Sequence, residues 1–296
     1  MTEGLSGSTV PRRQLGRHLR DLRGQARLTV RAASAALEWS EAKLWRIETG
    51  QTSMRSLDVE QMCRIYGAPA DRTESLMALA KETKSRGWWL SYSDVINEGF
   101  DVYIGLEEAA ARLLGYEPEL VPGLFQTADY ARTLITADNP GTDPGEIERR
   151  VQLRISRQSL LTRVTNPPEL RMVLNEAILH RPVGGGKVMA EQLNRLVEMG
   201  DLPNISIRVV PFAAGLHYGI MSGPFALLEF PVNGNGQATE PPTVYVDSFT
   251  GALFLDKPGE IDQYSEAFKS IWAVTSSEPE SRDAIAKAAE QLGAEK

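Results

Sequence analysis

The 296-residue chain has one cysteine, three histidines and no long apolar run. The single cysteine, Cys63, excludes an internal disulfide framework and fits a reducing compartment. Set among Met62 and Ile65, it reads as buried filler rather than a reactive thiol. His18, His180 and His217 are too few and too scattered for a metal site of local spacing. His180, beside Arg181 and Pro182, reads as a helix-end or loop residue. His217, in GLHYG, reads as a surface-loop residue or as part of a cleft. No stretch reaches the roughly 18 apolar residues of a membrane span. MTEGLSGSTVPRR has no apolar centre, so no signal peptide is expected and residues 1–11 read as a flexible tail. There is no G-x-S-x-G elbow. Gly184-Gly185-Gly186-Lys187 is followed by Val188 rather than Ser or Thr, and Arg181 holds the place of a phosphate loop's first glycine. That stretch reads as a turn before a helix. No catalytic residue, metal or cofactor is expected, and a non-enzymatic role follows.

What the chain does have is an uneven charge. The net charge is −7, which by itself argues against nucleic acid. Between Arg12 and Arg64, however, eleven Lys/Arg stand against six Asp/Glu, a local +5 that leaves −12 elsewhere. A basic head on an acidic body suits a DNA-binding module joined to a separate regulatory domain.

The head centres on Thr29–Gly50, TVRAASAALEWSEAKLWRIETG, which reads as two short helices and a tight turn. Thr29 and Ser40 are N-cap residues. Trp39 and Leu44 occupy the two positions of a hydrophobic staple. Ala32, Ala33 and Ala36 are small enough for a close helix crossing, and Leu37 closes that face. In the second helix Leu44 and Ile47 point inward, while Glu41, Ala42, Trp45 and Arg46 face away. Such an outer face suits either an exposed surface helix or a recognition helix in a DNA major groove. Under the second reading, Glu41 accepts from cytosine, Ala42 meets a thymine methyl, Trp45 lies on sugar or methyl, and Arg46 forks onto guanine.

LGRHLRDLRGQARLTVRAASAALEWSEAKLWRIETG resembles the DNA-binding domain of XRE-type (lambda-repressor-like) regulators. Leu15, Leu19, Leu22, Leu28, Ala33, Leu37, Lys43, Leu44, Ile47 and Gly50 carry the family's residue types at its spacing. The resemblance implies a helix-turn-helix protein on a double-stranded DNA operator. It implies an ion pair between Arg23 and Glu48. It implies backbone contacts from Arg13, Arg17, Thr29, Arg31, Ser40, Lys43, Gln51 and Arg55. Two positions depart from the family. Val30 stands where a phosphate-contacting glutamine is frequent, and Glu38 replaces the usual turn glycine, which predicts a slightly remodelled turn.

Along the chain, helices are expected over Arg12–Ala26, Leu57–Tyr66 and Asp71–Ser85, completing a five-helix head over residues 12–86. The boundary is placed near Arg86–Gly87. Trp88 and Trp89 then read as a stacking site or as packing for a linker. Asp101–Leu114, Gln126–Ile135 and Glu146–Leu161 read as helices. After Pro167-Pro168 the period changes, giving strands at Leu170–Leu174, Ile205–Val210, Phe225–Phe230 and Thr243–Asp247. Helices are expected over Ala190–Glu198, Ile261–Val274 and Arg282–Leu292. The chain is thus α+β: an all-α head, then a larger α+β body over residues 87–296 with a small, mostly antiparallel sheet.

VPGLFQTADYAR, NEAILHRPVGG, VVPFAAGLHYG and GPFALLEF resemble the C-terminal domain of antitoxin-like actinomycete regulators with XRE-type heads. That resemblance implies a cytoplasmic, nucleoid-associated regulator and a small protein partner encoded nearby. Three readings stay open. The chain is a homodimeric transcription regulator, an antitoxin-like module that mainly binds a partner, or a small-molecule sensor. Trp88, Trp89, His217 and Tyr218 are the candidates for a ligand or partner cleft.

Overall fold

The computed structural model describes residues 9–83, 87–97, 99–232, 238–248 and 251–294. The boundary expected near Arg86–Gly87 adjoins residues 84–86, outside the described residues. Most of the expected tail (1–8) and the middle of the Asn233–Pro242 loop (233–237) also lie outside them. The chain divides into two compact units: Met1–Ser91 with Asn97–Ala109, and Tyr92–Ile96 with Ala110–Lys296. They are called the head and the body below.

The head holds α1 (Thr9–Gln25), α2 (Val30–Leu37), α3 (Glu41–Glu48), α4 (Ser56–Tyr66), α5 (Ala70–Glu82) and α6 (Phe100–Ala109). Leu15, Leu19 and Leu22 of α1 meet Leu37, Leu44, Ile47, Val59 and Met62 in one core. Cys63 is buried in it, as expected of filler. The first helix begins earlier than expected. Thr9, Val10 and Pro11 are helical and buried rather than part of a tail. Their cover is α6, whose Gly105 has no room for a Cβ beside Thr9. This contact groups α6 with the head.

The body is a six-stranded mixed sheet with helices. The strands are β1 (Arg112–Glu117), β2 (Glu169–Asn175), β3 (Ile205–Val210), β4 (Phe225–Glu229), β5 (Thr243–Ser248) and β6 (Gly251–Leu255), in the order β3-β2-β1-β4-β5-β6. β1 pairs parallel with β2, and β2 with β3; the pairs β1–β4, β4–β5 and β5–β6 are antiparallel. The helices are α7 (Ala128–Asp138), α8 (Pro144–Arg157), α9 (Gly186–Met199), α10 (Tyr218–Ser222), α11 (Pro258–Ala273) and α12 (Glu278–Ala294). Phe268 and Ile271 of α11 pack on Leu114, Tyr116, Val173, Phe225 and Leu227 of one sheet face. α12 packs against α9 and β3. The N–H of Val209 on the β3 edge donates to Ser281 Oγ of α12 at 3.0 Å.

Two strands depart from the sequence reading. Asp101–Leu114 was expected to be one helix, because Leu106, Ala109, Ala110 and Leu113 share helical spacing. The helix stops at Ala109 and Leu113 lies in β1. β1 sits between β2 and β4 with its four middle residues buried, so its sequence shows no alternation. β6 is absent from the sequence reading for a different reason: GALFL is short, largely exposed and pairs only with β5.

The VPGLFQTADYAR segment is a structural knot. Gln126 Nε2 donates to the Val121 carbonyl at 2.7 Å, and the Val121 N–H donates to the Tyr130 hydroxyl at 3.1 Å. Gln192 of α9, fully buried, accepts from the Thr127 N–H and donates to the Phe125 carbonyl. Buried amide side chains with both ends paired fix a single packing of α7 on α9.

Candidate nucleic-acid interface

The α2–turn–α3 element is set by its caps. Thr29 has extended backbone, and its hydroxyl accepts from the Ala32 N–H at 3.1 Å. Ser40 does the same for Lys43 at 3.2 Å. Each cap satisfies an N–H that the first helical turn leaves open. Leu44 is fully buried and Trp39 packs on the same core, as the staple requires. Lys43 Nζ sits 3.5 Å over the Trp39 ring.

The turn was expected to be remodelled at Glu38. Instead Glu38 takes the left-handed conformation itself, with φ 57° and ψ 36°, and α2 ends on it with N–H bonds back to Ala35 and Ser34. The glycine geometry is kept without the glycine, at a cost of about 1 kcal/mol.

α3 is held against α1 in three places. Arg23 forks onto Glu48, Nε to Oε1 and Nη2 to Oε2, both 2.7 Å, and its Nη1 donates to the Leu28 carbonyl at 2.9 Å. Glu48 is 5% exposed and Arg23 14%. The bond to Glu48 raises the Arg23 pKa. Second, helices α1 and α3 cross at Gly16, where a Cβ would lie 2.6 Å from the Ile47 carbonyl oxygen. Third, Gly50, with φ 76°, brings the end of α3 onto the Arg13 backbone; a Cβ there would lie 2.8 Å from Arg13 Cα.

Of the three alanines expected to allow a close crossing on α2, Ala33 is buried and Ala32 and Ala36 are exposed. The crossing of α1 and α3 at Gly16 is a separate contact that the sequence reading does not include. An isolated glycine inside the apolar pattern Leu15–Leu19 was the available signal, since such a glycine costs a helix about 1 kcal/mol and usually has a packing reason.

With α3 fixed by its inner face, its outer face is free. Glu41, Ala42, Trp45 and Arg46 are all exposed, and Trp45 is 54% exposed. Thr29, Arg31, Ser40 and Arg55 are exposed, and Arg17, Lys43 and Gln51 are half-buried. Arg13 departs from the expectation of a phosphate contact. Its side chain is 6% exposed and packs under Gly50, so it supports the end of α3 from inside.

The four cleft candidates are divided between the units. Trp88 and Trp89 lie in the head, edge to face at 6.0 Å. Trp89 is buried, and Trp88 Nε1 donates to Glu108 of α6 at 3.0 Å. In the body, His217 is buried edge-on to Tyr116, its Nδ1 accepts from the Gly219 N–H at 3.1 Å, and burial lowers its pKa. It is a helix cap. Tyr218 points outward. Gly184 and Gly185 have positive φ just before α9, the turn expected of them. Among the described residues no group of three or more His, Cys, Asp and Glu could hold a metal ion. None of the described helices is long and apolar enough to cross a membrane.

Residues 14–76, from α1 into α5, match a model described as a helix-turn-helix domain. The head is therefore an XRE-like helix-turn-helix DNA-binding domain, and the regulator architecture read from the sequence stands. Residues 100–287, from the start of α6 into α12, match a family described as a domain of unknown function (DUF5753). The chain belongs to the DUF5753 family. No curated protein and no solved structure matches it. The DUF5753 region takes in α6, which folds with the head, as well as the body sheet.

Proposed function

We propose that this chain is a sequence-specific transcription regulator of the cytoplasm and nucleoid. It binds a double-stranded operator through α3, dimerises through its body, and takes a signal there from a small protein or ligand. The observation that carries the reading is the division of α3. Leu44, Ile47 and Glu48 are locked inside, and Glu41, Ala42, Trp45 and Arg46 are all held outward on the same short helix. In the helix-turn-helix docking, those four residues meet base edges. Arg17, Arg31 and Arg55, with Thr29, Ser40, Lys43 and Gln51, meet the phosphates on either side. The +5 charge of Arg12–Arg64 supplies attraction that the acidic remainder cannot.

The test is selection of binding sites from a random duplex pool with the purified full chain, followed by a salt titration on the selected site. The expected product is one recurring half-site motif. Removing Arg31 and Arg55 together lowers the log–log salt slope by about two. A pool with no enriched motif contradicts the reading.

A further inference from the structure

Pro211–Gly223, PFAAGLHYGIMSG, contains no Asp, Glu, Lys or Arg, in a chain where 24% of residues are charged. It folds as a short turn of helix at Phe212–Ala214 followed by α10. Its inward side is small: Gly219 lies flat on the Tyr116 ring, where a Cβ would come within 2.5 Å, and His217 is buried beside it. Its large apolar side chains all point out. Phe212, Leu216, Tyr218, Ile220 and Met221 are each 59–82% exposed.

The segment is also held firmly. The Phe212 N–H donates to Glu176 Oε2 at 2.6 Å, the Phe212 ring stacks on His180, and α10 packs on α11. A preformed surface loses little conformational freedom when something docks on it. Five such side chains offer on the order of 500–650 Å² in one short stretch, at or above the largest patch of a typical monomer.

We propose that this patch seats a second copy of the chain, patch against patch about a two-fold axis. The proposal rests on the reading that the body dimerises, and it names the surface. Area is the first argument: two such patches bury about 1,000–1,300 Å², which with a polar rim reaches the range of stable interfaces. Charge is the second. The body carries 17 Lys/Arg against 25 Asp/Glu, a net −8, so two bodies repel unless they meet where neither has a charge, and this segment is such a place. A basic partner protein would gain most from the acidic surface and would have no need of it. Symmetry is the third, because an uncharged apolar patch is complementary to itself, as a two-fold contact requires.

The test is sedimentation of the full chain without DNA at micromolar concentration. The expected mass is twice the 32.6 kDa of one chain. Leu216→Glu with Met221→Glu should give 32.6 kDa, with circular dichroism and thermal midpoint unchanged, since both positions are about four-fifths exposed. If that variant misfolds, a second measurement decides. Cys63 is buried, so Met221→Cys places one reachable thiol on the patch, and a short bis-maleimide should give a covalent dimer. A wild-type monomer at every concentration overturns the proposal and assigns the patch to a different chain. So does a charged double variant that stays dimeric, or a thiol variant that yields no crosslink. A monomer that still selects one DNA motif removes this surface and leaves the DNA reading intact.

Discussion

Arg23 and Glu48 form a two-pronged ion pair between the first and third helices, both bonds 2.7 Å, with Glu48 almost wholly removed from water. The pair places α3 by its C-terminal end, opposite the end that the cap Ser40 fixes. Removing one partner leaves a charge with no counter-ion in a half-dry site, which costs on the order of 3–5 kcal/mol. Glu48→Ala should therefore unfold the head while the body stays folded. Hydrogen exchange on the full chain measures this: amides of α1 and α3 lose protection and those of the sheet keep theirs. Unchanged protection in α3 contradicts the assignment.

Glu38 carries a left-handed backbone that glycine adopts freely. Glu38→Gly should stabilise the head by about 0.5–1 kcal/mol, the strain relieved outweighing the flexibility added to the unfolded chain. Urea denaturation followed by the tryptophans reads the shift in midpoint. A lower midpoint in the variant means the turn is not strained.

The opposite holds at Gly16, where the approach of α3 leaves no room for a methyl group. The atoms it would meet are the backbone carbonyls of Ile47 and Glu48, which cannot rotate away. Gly16→Ala gains helix propensity yet should lose about 1–3 kcal/mol by overpacking. A stability equal to or above wild type would show that the two helices do not cross there.

Much of the head was legible in the sequence because its devices are local. Thr29 and Ser40 announce their caps, and the helical period separates Leu44 and Ile47 from Trp45 and Arg46. The crossing at Gly16 was missed because a close approach between helices leaves no periodic mark. In the body, β1 was read as the end of a helix because a strand buried on both faces lacks the alternation that identifies strands. Arg13 illustrates a further limit. Its charge suggested phosphate, while its burial depends on Gly50, which is distant in sequence and near in space.

Glu117 ends β1 where burial, assisted by Asp247, lifts its pKa to about 8 from an ordinary 4.5. The folded state thus binds this proton more tightly than the unfolded chain does. The stability it contributes is full below about pH 4.5 and is lost as pH rises toward about 8. Glu117→Gln should flatten the fall in unfolding free energy between pH 5 and 8, read by urea denaturation, by ~1 kcal/mol or more, and the gain over wild type should be largest at pH 8. Parallel wild-type and variant profiles across that range mean that Glu117 titrates normally.

The central claim is that the outer face of α3 reads bases, and Arg46 tests it most directly. Arg46 is exposed one helical turn beyond Ala42, placed to fork onto guanine O6 and N7. The measurement is binding of wild type and Arg46→Ala to every single-base variant of the selected operator at fixed salt. The account predicts that the variant loses about 1–3 kcal/mol of discrimination at one symmetric pair of positions and keeps the wild-type profile elsewhere. An even drop in affinity over all variants, with the preference profile unchanged, would place Arg46 on phosphate and contradict base reading by this helix.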